Sequence, residues 1–205
     1  MKIGIIGAGQ VGGALGRGLA RAGHQVVYGV RDPQDAKHRA LEPAQVATVR
    51  GAVEAAEAVL LTTPWGGTEA ALQAAGDFGG KPLLDATNPI GPGVALTHGH
   101  TDSGGEQVAR WAKNAKVVKV FNSTGLENMV DPAYGKARAA MFACGDDEQA
   151  CATAVKLAKD LGFDAVRIGA LRLARVLEPM AMLWINLAVV LGNGRNVAFG
   201  LLRRA

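Results

Sequence analysis

The tightest constraint on this chain sits in its first thirteen residues. An apolar run, Ile3 to Ile6, meets glycines at positions 7, 9 and 12 in the spacing G-x-G-x-x-G, and in the segment that follows Ala14, Leu15, Leu19 and Ala20 share one apolar face. This pattern is strand, tight turn, helix. Gly7 lets the chain turn sharply, Gly9 lets backbone approach a pyrophosphate with no Cβ in the way, and Gly12 lets the helix pack closely on the strand. The helix N-terminus adds free N–H groups and a positive dipole end. Gly7, Ala8, Gly9, Gln10, Val11 and Gly12 are therefore expected to hold the pyrophosphate of a dinucleotide.

Length and charge narrow the setting. At 205 residues the chain can bury one full α/β domain with a modest addition, so residues 1–205 are expected to form a single dinucleotide-binding domain. The 22 basic and 18 acidic residues give a formal +4, but the basic ones are scattered apart from Arg203-Arg204, and no basic stripe with interleaved aromatics points to nucleic acid. Cys144 and Cys151 show no C-x-x-C spacing and suit a reduced, cytoplasmic protein. Lys2 before an apolar run imitates a signal peptide, yet glycines interrupt that run, which argues against export. The apolar stretch Val176 to Leu191 contains Glu178, Pro179 and Asn186, and is expected to be a buried or partner-facing helix, too short and too polar to span a bilayer.

Taken in order, Gln25 to Val30 is the second strand, entered through Ala22-Gly23 with Gly23 as C-cap. The end of this strand faces the adenosine ribose in such a fold. A carboxylate about twenty residues beyond the last fingerprint glycine selects NAD, whereas an arginine there accommodates a 2′-phosphate. Val30 offers no carboxylate and Arg31 follows it; Asp32 before Pro33, with Asp35, is the N-cap and first turn of a helix over 33–40. Arg31 is thus the expected phosphate ligand and argues for NADP over NAD, with Lys37 or Arg39 as helpers or as a solvated helix face. A brief strand at Ala47 to Val49 and an Ala/Glu helix precede Ala58 to Thr63, a continuous apolar strand suited to a buried parallel sheet. It ends in Pro64-Trp65, and a helix from Thr68 to Ala75 follows; Thr63, Pro64 and Trp65 then lie near the dinucleotide, Trp65 either stacking on a flat ring or covering the strand end.

Further polar residues close later strands. The Lys81 to Asp85 strand runs into Asn88-Pro89, and the Lys116 to Phe121 strand into Asn122-Ser123. Between them residues 91–105 form a Gly-rich loop or lid with His98 and His100, which lack the further ligands a metal site needs, and a helix spans Gly105 to Ala112. Ala139 to Gly145, a helix over Asp146 to Leu161 capped by Asp146, and Ala165 to Ile168 add a β-α-β unit. Two helices, Leu171 to Leu191 with a break at Pro179 and Asn193 to Arg203, complete the chain. The expected architecture is α/β: a Rossmann-type, doubly wound, mostly parallel sheet with residues 171–205 as a small helical cap.

Several segments together, Gly7-Ala-Gly9-Gln-Val-Gly12, Arg31-Asp32-Pro33, Thr63-Pro64-Trp65, Asp85-Ala-Thr-Asn88-Pro89, Ser103-Gly-Gly-Glu106, Val118-Lys119-Val-Phe121-Asn122 and Leu177-Glu178-Pro179, resemble the coenzyme F420-dependent NADP oxidoreductase family over the whole chain. Similar domains form the cytoplasmic NADPH-binding part of membrane ferric reductases. The resemblance implies hydride transfer between NADP(H) and a deazaflavin (F420) or flavin (FMN, FAD). It places the pyrophosphate on Gly7 to Gly12, the 2′-phosphate on Arg31, and the nicotinamide beside Pro64, Asn88 and Asn122. The family commonly has Ser or Thr where Val30 stands, so one phosphate ligand is missing here. No Ser-His-Asp set, paired carboxylates or metal cluster supports hydrolysis, and hydride transfer asks chiefly for ring alignment and exclusion of water. Two other readings stand beside it: an NADPH-dependent reductase of a small imine or carbonyl, for which the residues after Ile168 are few, and a non-catalytic NADPH-binding redox sensor. The apolar C-terminal helices, with Met180, Met182, Leu183 and Trp184, are core or the contact of a homodimer.

Overall fold

The sheet grows outward from the first strand. The structure, a computed structural model, describes residues 1–41 and 44–204, with backbone alone for residues 39 and 40. In chain order the elements are β1 (Lys2–Ile6), α1 (Gln10–Arg21), β2 (Gln25–Val30), β3 (Gln45–Thr48), α2 (Val49–Ala55), β4 (Ala58–Leu61), α3 (Thr68–Ala75) and β5 (Pro82–Asp85). A hairpin of β6 (Ile90–Gly91) and β7 (Ala95–Leu96) leads to α4 (Gly104–Trp111), β8 (Lys116–Lys119) and α5 (Leu126–Val130). A second hairpin, β9 (Ala133–Tyr134) and β10 (Ala137–Arg138), precedes β11 (Ala140–Gly145), α6 (Glu148–Asp160), β12 (Asp164–Gly169) and α7 (Ala174–Ile185).

Eight strands form the main sheet in the order β12-β11-β8-β5-β4-β1-β2-β3. From β3 to β8 every pairing is parallel, while β11 runs antiparallel to β8 and carries β12 parallel to itself. The chain winds one way from β1 to β2 and β3, then returns past β1 to β4, β5 and β8, so the crevice of this doubly wound sheet opens at the carboxyl ends of β1 and β4. Because side chains alternate along a strand, neighbours serve opposite faces. Ile5 and Leu60 join Leu15, Leu19 and Leu157 under α1 and α6, and Ile6 and Leu61 join Val53, Leu72 and Val108 under α2, α3 and α4.

Several expectations are corrected. No α-helix spans 33–40: Asp32 Oδ1 accepts from Gln34 N and Asp35 Oδ1 from Lys37 N, two tight Asx turns that lead into a 3₁₀ turn at Ala36–Leu41. Asp147, rather than Asp146, caps α6 through Ala150 N, and Asp146 instead accepts from Leu171 N. Pro179 does not break the last helix. Its ring is exposed, where water can satisfy the carbonyl it frees, and helical structure runs from Leu171 to Val190. This helix has 20 residues and is, by length and composition alone, long and apolar enough to cross a membrane, which corrects the expectation that the stretch is too short. No helix forms over 193–203. Gly192 and Gly194 take left-handed φ of 69° and 81°, and the tail is held by Val197 O, which accepts from Asn128 Nδ2 and Trp184 Nε1.

Burial pushes the Cys144 thiol up to about 12. Below pH 9 both folded and unfolded chains keep this proton; as pH rises from 9 towards 12 the unfolded chain releases it first, so stability falls through that window. Cys144 and Cys151 are both free and buried, and iodoacetamide at pH 8 is expected to leave them unmodified in the native protein and to label both in denaturant, as intact mass will read. The variant Cys144→Ala should show a shallower loss of melting temperature above pH 9 than the parent.

Candidate functional site

The glycine turn is packed as its spacing requires. Gly7 has φ of +104°, and a Cβ on Gly12 would lie 2.1 Å from Gly7 O, so only glycine lets α1 approach β1 this closely. Gly9, the N-cap of α1, receives no side-chain cap, and a Cβ there would meet nothing within 4 Å. No side chain caps the first N–H groups of this 12-residue helix and the space beside Gly9 is open, the arrangement a pyrophosphate cradle needs. Ala8 and Val11 pack part-buried against the core and Gln10 is exposed at the helix start. Thr62 was not singled out from the sequence, yet its Oγ1 donates to Ile6 O (3.1 Å) and lies 2.9 Å from Gly7 O, tying the end of β4 to the turn. A hydroxyl at the end of an apolar strand was the available signal.

At the end of β2, Val30 is buried and Arg31 is exposed, without a salt bridge among the described residues. Lys37 is engaged by the Asp35 carboxylate at 2.5 Å, so its charge is shared before any phosphate arrives. The Arg39 side chain lies outside the described residues. Thr63 Oγ1 is 2.9 Å from Thr68 Oγ1, which donates to Pro64 O; Thr63 thus helps start α3. Trp65 packs on Trp111 with ring centroids 5.4 Å apart and meets His98 edge-on at 5.5 Å. His98 arrives on the loop after β7, which Thr97 fastens by donating N–H and Oγ1–H to Pro89 O (2.8 and 3.1 Å). The 91–105 segment is thus anchored over the strand ends, and among the described residues no cluster suited to a metal ion occurs.

Asn88 and Asn122 are brought together. Asn88 Nδ2 donates to Asn122 O (2.9 Å); Asn122 Nδ2 donates to Asn88 Oδ1 (3.0 Å) and to Leu177 O (3.0 Å). Asn122 is 3% exposed, and its Oδ1 is a buried acceptor with no donor among the described residues. Phe121, just before it, is a fully buried residue at φ +64°, a strained conformation for an aromatic side chain. Beneath this pair Lys119 Nζ lies 2.7 Å from Asp85 Oδ2 and 2.9 Å from Glu178 Oε1, all three side chains being essentially inaccessible. Burial works against the ammonium, but the two carboxylates outweigh it and hold the Lys119 pKa above the ordinary lysine value. Its contribution to stability is therefore complete below that ordinary value and lost only as pH rises through the higher folded one.

The open turn, the exposed Arg31 and the unpartnered Asn122 acceptor all suit a dinucleotide with a carboxamide ring, and proteins similar to this chain are described as NADP-dependent. The sequence profile of the family described as NADP oxidoreductase, coenzyme F420-dependent, matches residues 2–89. The F420-dependent NADP reductase of Methanothermobacter marburgensis is 31% identical over 209 residues, covering 92% of this chain and 93% of that one. The metalloreductase STEAP3 of Rattus norvegicus is 28% identical over 88% of this chain but only 36% of its own length. A crystal structure from Arthrobacter sp. fb24, described as an F420-dependent NADP reductase, superimposes with a TM-score of 0.88 at 35% identity, covering 99% of this chain and 100% of that one.

The two glycines are expected to respond differently. Gly12→Ala forces α1 off β1, costs about 1–3 kcal/mol, and should lower the melting temperature by several degrees while abolishing dinucleotide binding. Gly9→Ala has room for its methyl and should melt like the parent, yet bind NADP+ about tenfold more weakly, since the methyl projects into the cradle. Differential scanning fluorimetry and calorimetric titration read the two effects.

Proposed function

The chain belongs to the coenzyme F420-dependent NADP oxidoreductase family, and from that premise we propose that it transfers a hydride between the nicotinamide of NADP(H) and a deazaflavin ring, that of coenzyme F420, or a flavin ring, that of FMN or FAD. The single observation that carries this reading is the Asn88–Asn122 amide pair at the strand ends. It offers hydrogen bonds without an ionisable group, and the nearest charges, Asp85, Lys119 and Glu178, are spent on one another. Such a wall orients a ring and leaves proton chemistry aside, which is what transfer between two stacked rings asks of a protein.

NADP(H), when bound, supplies or receives the hydride. The residues of the chain then do the rest. Gly7 to Gly12 and the α1 N-terminus bind the pyrophosphate, Arg31 binds the 2′-phosphate, and Asn88 and Asn122 orient the carboxamide. Pro64 and Trp65, backed by Trp111 and His98, form the wall against which the second ring lies, and the hairpin loop excludes water. We place the protein in the cytoplasm, where free thiols such as Cys144 and Cys151 stay reduced.

We also propose a homodimer through the C-terminal helix. Val176 and Leu183 are 57% and 51% exposed and stand seven residues apart on α7, and Val190, in the wider turn that follows, is 67% exposed, an apolar surface that a second copy of the same helix can match. Leu183→Lys is expected to halve the mass seen by sedimentation equilibrium without changing the circular dichroism spectrum.

Two measurements test the function. Stopped-flow oxidation of NADPH should be fast with F420 or a flavin and slow with a cyclic imine; the reverse order would overturn the assignment. Removing charge-assisted bonds worth about 1.5–3 kcal/mol, Arg31→Ala should raise the NADPH KM roughly 10- to 100-fold and leave the NADH KM nearly unchanged.

A further inference from the structure

The charged groups buried under the site are better connected to it than a simple structural ion cluster needs to be. Asp85 ends β5 and Lys119 ends β8, directly opposite in the parallel register. Asp85 Oδ1 accepts from Thr87 N (2.9 Å) and Thr87 Oγ1 (2.7 Å), and Lys119 Nζ donates to Thr87 O (2.8 Å). Thr87 is thus fixed at every polar atom, and the next residue is Asn88. On the other side Glu178 accepts from Gly104 N and Gly105 N, each at 2.9 Å, and forms an ion pair with Lys119 Nζ. The residue before it, Leu177, receives the Asn122 side-chain amide. Asn88 therefore follows a residue that the cluster holds, and Asn122 is hydrogen-bonded to the residue that precedes Glu178.

The fit extends to the neighbours. A Cβ on Gly104 would meet Glu178 Oε1 at 3.0 Å, and one on Gly105 would meet Lys119 Cε at 3.2 Å, so the helix end is pressed against the cluster. With both Asn122 N–H groups committed to Asn88 Oδ1 and Leu177 O, the orientation of this amide is set, and the atom left over is the buried acceptor Oδ1. An unpaired buried acceptor is costly in a folded protein and calls for a donor. The nicotinamide carboxamide N–H is a donor of the right kind.

We propose that Asp85, Lys119 and Glu178 are positioning residues for the nicotinamide half of the site, holding Asn88 and Asn122 so that Asn122 Oδ1 accepts from the carboxamide, with Glu178 as the link to the C-terminal helix. This rests on the NADP reading above and adds the device that sets ring placement. The adenosine half, held by the glycine turn and Arg31, shares no hydrogen bond with the cluster among the described residues. The two halves of the ligand should therefore respond separately when the cluster is changed.

Calorimetric titration of the full chain with NADP+ and with adenosine 2′,5′-bisphosphate, which lacks the nicotinamide, tests this. In Glu178→Gln, NADP+ should bind about tenfold more weakly, while the bisphosphate changes by less than about twofold. Asp85→Asn, which keeps its shape, should show the same split and covers the case in which the first variant folds poorly. Equal losses for both ligands, or none for either in a folded variant, would overturn the positioning role. Failure of the parent protein to bind the bisphosphate would overturn the NADP site itself, and the inference with it.

Discussion

One buried ammonium shared by two carboxylates joins the halves of this molecule. Lys119 and Asp85 belong to adjacent strands and Glu178 to the last helix, so three elements meet at one nitrogen, and a fourth, α4, joins through Gly104 N and Gly105 N on the Glu178 carboxylate. A buried pair of this kind is weak evidence of net stabilisation, because desolvation cancels much of the attraction. Removing Lys119 is another matter: it strands two buried carboxylates and costs about 3–5 kcal/mol. The cluster therefore acts as a register device. Any packing of α7 that moved Glu178 away would leave Gly104 N and Gly105 N without their acceptor and Lys119 Nζ with one carboxylate fewer, and the observed placement of the helix avoids both.

This arrangement divides the work along the sheet. On the β1–β2 side the site is made of backbone, with glycines that permit close approach, a helix start without a cap, and Thr62 fastening the turn to β4. On the β5–β8 side it is made of side chains, and side chains need support. The support is the ion cluster below, Trp65 on Trp111 to one flank, and the anchored loop above. A backbone cradle recognises any diphosphate, so on the proposed reading discrimination between rings falls to the half that the cluster holds.

The first half was legible and the second only in pieces. A glycine fingerprint after an apolar run is local, and so are the Arg31 turn and the alternation of strands and helices; each can be read from neighbours in sequence. Lys119 within Val117-Val-Lys-Val-Phe and Glu178 within an apolar helix were visible as charges in apolar surroundings, but 59 residues separate them (178 less 119) and no local pattern says that they meet. The misjudged elements have the same origin. Asp32 suits a helix cap and an Asx turn alike, and the turn won because Asp35 closes a second one directly after it. The C-terminal tail has helical composition, but two left-handed glycines and the pull of Trp184 and Asn128 on Val197 O prevent a helix. Local propensity lost to tertiary bonds in each case.

The reversal of β11 explains the strain beside Asn122. Past Lys119 strand β8 has Asp85 on one side, through Val120 N to Asp85 O, and the antiparallel β11 on the other, through the Lys119–Cys144 pair. Continuing straight would carry residue 122 beyond both neighbours and away from Asn88. The left-handed φ at Phe121 turns the chain at a cost of about 1–3 kcal/mol, offset by full burial of its ring near Phe163 and by its N–H, which reaches Met141 Sδ at 3.2 Å. The turn brings Asn122 back to within hydrogen-bonding distance of Asn88 and leaves one acceptor unfilled. A strained residue and an unpaired buried oxygen thus stand side by side at the strand end, and the proposed ligand donor at Asn122 Oδ1 would partner the second.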